Sequence, residues 1–317
     1  LRKIIKQKLV IVLFAGLIAL VVFDMLRFAT KWQPFDPNLL MYPNVPVIDG
    51  FKQIEGYNRV LGNFDAGTGV YYHLPSVEGY DALYIRKYGQ LVASMTDGKL
   101  QDSYRSAVSF IKNNQNTLQM VKLLNITYIV HKKSDDFVGW TFPYWDYSDQ
   151  FKQIFEDNSY RIFENTKALP HAFVASNYAV NSSDQQKITT LLSKTFNPAQ
   201  TVILDKNPGF TASSSNNASA TITSYTPNRV AITATTQKRA VLVLLDNNYP
   251  GWNAVVDGKQ VSVLTADYSF RGIVLPSGTH KIVFSFEPLS FIIGLWLGVI
   301  GIIGVVLGTI LKKITKI

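Results

Sequence analysis

The chain has 317 residues, a formal net charge of +9 and no cysteine. Residues 1–30 and 288–317 together carry +7 of that charge and the 257 residues between them only +2, too balanced a middle to follow a phosphate backbone, so a soluble nucleic-acid binder is excluded. A hydrophobic content of 47% excludes general disorder, and the lack of cysteine excludes a disulfide scaffold, a zinc–thiolate site, an iron–sulfur centre and a cysteine nucleophile.

Residues 9–23 form an apolar run of 15, nominally ~22 Å as a helix. Ile4, Ile5 and residues 25–29 extend it, and Lys6 and Lys8 can reach the headgroups. A secretory signal peptide competes with this reading. Its cleavage site would be poor, because Arg27-Phe28-Ala29 puts a large cation where a small side chain is wanted, so an uncleaved span over residues 1–30 is expected. Trp32 and Phe35 follow it as interfacial aromatics.

Residues 31–168 read as an external α/β subdomain. Residues 45–48 suggest a short strand, residues 78–93 a helix carrying Leu83, Ile85, Tyr88 and Leu91, and Asp102 the cap of a helix whose Tyr104, Val108 and Ile111 share a face. A helix over 117–124 runs into the β-branched strand 126–130, and residues 151–155 and 160–163 make a hairpin around Asp157-Asn158-Ser159.

Residues 169–287 read as a β-sandwich with one helical insert at 183–194 and a solvated loop at 211–219. Val230, Ile232 and Ala234 alternate, 241–245 is a buried-strand run, and Asp257-Gly258 between valine-rich segments marks a type I′ hairpin. Ile282, Phe284 and Phe286 alternate after the Pro276-Ser277-Gly278 turn, and this last strand leads through Glu287-Pro288 into a second span at 288–317. Residues 289–311 are 23 residues without a charge, ~34 Å as a helix against a hydrocarbon core of ~30 Å. Five glycines from Gly294 to Gly308 fall on about one third of that helix's circumference, a face suited to close helix packing. The fold class expected is therefore α+β and membrane-anchored: an external α/β subdomain, then an all-β sandwich, flanked by two transmembrane helices. The positive-inside rule puts both basic ends in the cytoplasm and residues 31–287 outside a bacterial plasma membrane. The chain opens with Leu1 rather than Met, which suggests a piece of a longer protein.

No catalytic motif is present: no P-loop, no dinucleotide fingerprint, no His-Glu-x-x-His and no Gly-x-Ser-x-Gly. His73, His131, His171 and His280 lie far apart with no ligand-type partner at metal spacing, so no metal and no cofactor are expected. Leu275-Pro-Ser-Gly-Thr279 imitates a sortase signal but lacks its Thr-Gly bond, and three Asn-x-Ser/Thr matches arise easily in such a chain. The remaining candidates are sugar-binding side chains. Trp252 near Arg271 could stack on a pyranose ring, and Tyr80, Asp81 and Tyr84 could form a second platform. For both groups, packing inside the fold is the stronger alternative: Trp252 and Phe270 filling the sandwich core, with Arg271 paired to a local acid.

The segments 250–258 (Pro-Gly-Trp-Asn-Ala-Val-Val-Asp-Gly), 270–280 (Phe-Arg-Gly-Ile-Val-Leu-Pro-Ser-Gly-Thr-His) and 284–288 (Phe-Ser-Phe-Glu-Pro), running into a final span, resemble the carboxy-terminal end of YfhO-like bacterial membrane proteins. Segments 121–130 and 165–172 resemble the family's middle, and the likeness covers most of residues 20–310. His171 stands where an arginine is expected and Glu287 where an aromatic is common. The resemblance implies a large polytopic glycosyltransferase of the GT-C type, which moves a sugar from a polyprenyl-phosphate carrier to an envelope polymer such as lipoteichoic acid. Its catalytic carboxylates would lie upstream of Leu1 among further amino-terminal spans, so no catalytic residue is assigned here. Partners implied are the membrane, a lipid-linked sugar, an envelope polymer and those spans. A non-enzymatic envelope protein that binds glycan or another protein is the alternative; a transporter would need more spans and more intramembrane polar groups than Asp24 and Arg27 supply.

Overall fold

The computed structural model describes residues 2–32, 45–52, 57–62, 66–81, 83–103, 107–110, 113–212 and 217–314. Residues Leu1–Val45 and Pro46–Ile317 form two separate compact units. The first holds helix α1 (Arg2–Trp32), whose described side chains beyond Lys8 are almost all exposed; its segment Lys8–Trp32 is long and apolar enough to cross a membrane.

The second unit begins with helix α2 (Pro46–Lys52), where a strand was expected. Pro46 opens it at the first helical position, where its fixed φ and missing N–H cost nothing. Val47 and Phe51, one turn apart, then join Val60, Val130 and Ile162 in a small core. Strand β1 (Arg59–Gly62), helix α3 (Ala66–Tyr71), strand β2 (Gly79–Tyr80), helix α4 (Arg86–Ser94), strand β3 (Ala107–Val108) and helix α5 (Thr117–Leu123) follow. The helix expected over 78–93 thus starts only at Arg86. Upstream, the Glu78 carboxylate accepts the N–H of Phe110 at 2.8 Å and the Asp81 carboxylate that of Leu83 at 2.8 Å, bonds that hold the backbone in non-helical form. The Asp102 carboxylate accepts instead from Arg86 and Gln90, and Val108 of the expected helix lies in a strand. Phe35, Tyr104 and Ile111, with the side chains of Ile4, Ile5 and Lys6, lie outside the described residues.

Strand β4 (Ile126–Lys132) lies between β1, parallel, and β6 (Tyr160–Asn165), antiparallel, and β5 (Phe151–Glu156) completes a four-stranded sheet. Strands β7 (Ala172–Ala175) and β8 (Asn177–Val180), helix α6 (Asp184–Leu191, capped by Ser183) and strands β9 (Thr201–Leu204), β10 (Ala218–Thr226), β11 (Arg229–Thr236), β12 (Ala240–Asn247), β13 (Trp252–Val256), β14 (Lys259–Val261), β15 (Leu264–Ala266), β16 (Phe270–Leu275) and β17 (Gly278–Phe286) lead to helix α7 (Leu289–Ile314). They build a six-stranded sheet in the order β7-β12-β16-β15-β9-β8 and a five-stranded sheet in the order β10-β11-β17-β13-β14.

Alternation along β12 explains the layering. Leu242 and Leu244 face the five-stranded sheet, packing with Val230, Ile232, Ala254, Ile282 and Phe284, and this is the expected sandwich core. Val241, Val243 and Leu245 point the other way, into a larger core shared with Leu61, Leu91, Met120, Leu123 and Ile188. A strand covered on both faces must be apolar throughout, which is why residues 240–245 read as one hydrophobic run. One core therefore joins the helices upstream of residue 168 to the sheet downstream of it. The Asp257-Gly258 turn has φ of +48° and +82°, both in the left-handed region a type I′ hairpin requires.

Helix α7 carries exposed apolar side chains along its length, and a Cβ on any glycine from Gly294 to Gly308 would meet nothing within 4 Å. The glycine face has no partner among the described residues. The segment Leu289–Gly308 is again long and apolar enough to cross a membrane.

Candidate functional site

Strand registers bring several polar side chains to one end of the sandwich. Along β17, Gly278 pairs with Thr236 at one end and Ser285 with Arg229 at the other, while Trp252 of β13 pairs with Phe286. Asn247 of β12 pairs with Phe270 of β16, and Leu244 with Ala172 of β7. The starts of β7, β13 and β16 and the end of β12 therefore gather where α7 leaves.

Asp246 sits at the centre of this end, 8% exposed. It continues the Leu242–Leu244 face of β12 into the space between the sheets. Its Oδ1 accepts from His171 Nε2 at 2.9 Å and from Arg59 Nη2 at 3.3 Å; its Oδ2 meets Arg271 Nη2 at 3.1 Å; and the Tyr225 hydroxyl lies 3.1 Å from both oxygens. Burial alone would raise the Asp246 pKa, but the His171 hydrogen bond and the charges of His171, Arg271 and Arg59 outweigh it and hold the group down at about 2. Asp246 is thus a permanently ionised anchor at neutral pH. Burial pulls the Arg271 pKa down to about 10 against the opposing pull of Asp246, and burial, then Asp246, pushes the Tyr225 phenol up.

The surrounding bonds tie this cluster to the upstream chain. Arg59 donates to the carbonyls of Leu124 (3.0 Å) and Leu245, and the Tyr57 ring stacks on Tyr225 with centroids 4.8 Å apart. His171 Nδ1 lies 2.7 Å from the Tyr57 carbonyl and Nε2 faces the Asp246 carboxylate, so both ring nitrogens meet acceptors.

Of the sequence candidates, Trp252 and Arg271 meet: the guanidinium carbon lies 3.6 Å from the Trp252 ring centroid and 5.6 Å from that of Phe284. Arg271 is 3% exposed, and its Nε and Nη1 have no hydrogen-bond partner in the described structure. The cation covers one face of the Trp252 ring, which is half-buried against the sandwich core, whereas Phe270 is fully buried in the larger core and not in the sandwich core expected for it. Tyr80, Asp81 and Tyr84 stand in a different segment and do not share a helical face. Tyr80 is 78% exposed in β2, Asp81 is exposed in the following loop, and Tyr84 is half-buried, its hydroxyl donating to the Ser103 carbonyl at 3.3 Å. Sequence reasoning missed Asp246, Arg59 and Tyr225. Arg59 and Asp246 are 187 residues apart, and the available hint was an acid ending a wholly apolar strand.

Among the described residues no group of three or more His, Asp or Glu could hold a metal ion. His131, His171 and His280 each pair instead with an aspartate: Asp136, Asp246 and Asp257.

Residues 210–298 match the family model described as bacterial membrane protein YfhO. That carboxy-terminal stretch is thus similar to YfhO-like bacterial membrane proteins. The matched segment contains β10 to β17, the Asp246–Arg271–Trp252 cluster and the start of α7. It includes the run 250–288 and stops short of the segments 121–130 and 165–172. The searches of curated proteins and of solved structures found no match.

Proposed function

We propose that this YfhO-like chain is the carboxy-terminal, largely extracytoplasmic portion of a polytopic glycosyltransferase that moves a sugar from a polyprenyl-phosphate carrier to an envelope polymer such as lipoteichoic acid. Both termini are then cytoplasmic, residues about 31–287 lie outside, and further spans upstream carry the catalytic carboxylates. In this reading the external region, divided near residue 168 into an α/β part and a sandwich, holds the acceptor in place and performs no chemistry itself. The Asp246 cluster is the observation that supports this assignment of roles: a buried carboxylate, held ionised between His171, Arg271 and Arg59, ties the upstream chain to the end of the sandwich, an arrangement suited to fixing geometry. The family match supplies the membrane context.

The test is genetic and chemical. Deleting the gene in its host should remove a glycosyl substituent from the extracted envelope polymers, read by mass spectrometry and NMR, and the intact gene should restore it. Polymers that keep every sugar after deletion would refute the transferase reading. The exposed pair Tyr80 and Asp81 favours one second reading, a non-enzymatic glycan- or protein-binding membrane protein. Tyr80→Ala should then weaken binding of the full chain to wall polymer, and no heat of binding across a panel of envelope glycans would count against it.

A further inference from the structure

The joint between the sandwich and α7 is only two residues long, Glu287 and Pro288, and two neighbouring segments grip it. The N–H of Phe286 donates to the Asn228 carbonyl at 2.9 Å and that of Glu287 to the Gly251 carbonyl at 2.8 Å. The α7 helix is already closed at the joint, since the N–H groups of Phe291 and Ile292 donate to the Pro288 carbonyl. Gly251 has φ +109°, and a Cβ there would lie 2.9 Å from the Phe286 ring and 3.0 Å from Pro288 Cα. Nothing in this arrangement can swivel freely. The turn at Pro227-Asn228 and the tip at Tyr249-Pro250 are therefore fixed next to the first apolar residue of the helix.

This closeness decides what covers that end of the sandwich. Interfacial layers occupy roughly 5–8 Å on each side of a ~30 Å hydrocarbon core, and strand residues advance ~3.3 Å each. Backbone bonded to Phe286 and Glu287 thus cannot leave the headgroup layer if α7 crosses the bilayer from Leu289. The side chains suit that layer. Tyr249 is 51% exposed, packs on Phe286 at 6.5 Å, and Phe286 stacks in turn near Trp252 at 5.4 Å, while Arg229 is exposed beside the turn. Amphipathic rings with a neighbouring cation are what the water–lipid boundary selects.

We propose that the Tyr249-Pro250 tip and the Pro227-Asn228 turn form a lipid-contacting foot, seated in the headgroup layer, that together with α7 fixes the orientation of the sandwich over the membrane. This rests on α7 being a span, and the experiment separates the two claims. The natural chain has no cysteine, so single-cysteine variants of the full chain can carry one nitroxide each. Tyr249→Cys and Asn228→Cys probe the foot, Ser277→Cys the opposite end of β17, and Val305→Cys the middle of α7, all in vesicles of phosphatidylcholine and phosphatidylglycerol. Collision rates with oxygen and with a water-soluble nickel chelate give the depth of each label. The expected oxygen-to-nickel ratio at 249 and 228 is at least threefold above that at 277 and below that at 305. Ratios at 249 and 228 equal to that at 277, with 305 deep in lipid, would overturn the foot alone. An aqueous reading at 305 would overturn the span and the foot with it. Exclusion of both probes at 249 and 228 would mean a protein partner or second copy covers this end, which also overturns the proposal.

Discussion

Asp267 carries an unusual combination for a single residue. It is fully buried, has φ +43°, uses Oδ1 to accept the Ile203 N–H at 2.8 Å, and leaves Oδ2 without a partner in the described structure. Burial pushes its pKa up to about 7, with the Ile203 bond opposing. A carboxyl group whose pKa is higher folded than unfolded stabilises the fold below the unfolded value near 4, and that contribution is lost as pH rises towards 7. Asp267→Asn keeps the acceptor for Ile203, tolerates the left-handed backbone and cannot ionise. The Tm of Asp267→Asn relative to the natural protein should therefore improve steadily from pH 4 to pH 8. At ~1.4 kcal/mol per pKa unit the gain is at most about 4 kcal/mol, reduced by the unpaired amide. A difference that stays flat with pH would show that Asp267 is ionised throughout. Asp246 has the opposite sign: its depressed pKa stabilises the fold above pH ~4, and that part is lost as pH falls towards 2. Asp246→Asn strands the buried Arg271 and the half-buried Arg59 without their counter-charge and should lower stability by about 3 kcal/mol, checked by denaturant unfolding in detergent. Such sites are hard to read in sequence. Trp252 and Arg271 drew attention as residue types, but what they do depends on Asp246, Arg59 and Tyr225, which reach them only through tertiary contacts spanning up to 187 residues.

Elements were legible where local chemistry alone decides them. The Asp257-Gly258 hairpin, the Ser183 cap of α6 and the fully buried strand β12 each follow from turn propensity, capping or two-sided burial. Residues 45–48 misled because three β-branched side chains suit a strand, whereas the i, i+4 pair Val47 and Phe51 had a sheet to cover only once the fold had formed. Residues 78–85 misled because Glu78 and Asp81 spend their carboxylates on backbone N–H groups, one of them on Phe110 far along the chain. Two glycines allow a test at this scale. Gly258 (φ +82°) has open space where a Cβ would sit, so Gly258→Ala should cost only the backbone strain, about 1 kcal/mol. Gly251→Ala adds a collision with Phe286 and Pro288 backbone to its strain and should cost at least about 2 kcal/mol. Equal effects of the two on thermal unfolding would mean that the joint yields easily.

At the scale of the molecule, the charge distribution and the two apolar helices make one joint claim. Concentrating +7 at the ends leaves a nearly neutral middle, and under the positive-inside rule the topology proposed above has both ends in the cytoplasm. That proposal requires an even number of spans within the chain, and the candidates Lys8–Trp32 and Leu289–Gly308 would provide two. The absence of cysteine in the sequence again makes the test direct. In intact spheroplasts a membrane-impermeant maleimide should label Ser277→Cys, which is exposed in the turn between β16 and β17. Lys3→Cys and Lys316→Cys should react only after permeabilisation. Labelling of Lys316→Cys in intact spheroplasts at the rate of Ser277→Cys would place the basic end outside. The terminal charge would then have to be explained by something other than membrane orientation, because a +3 flank translocated against the potential costs ~2.3 kcal/mol per charge per 100 mV.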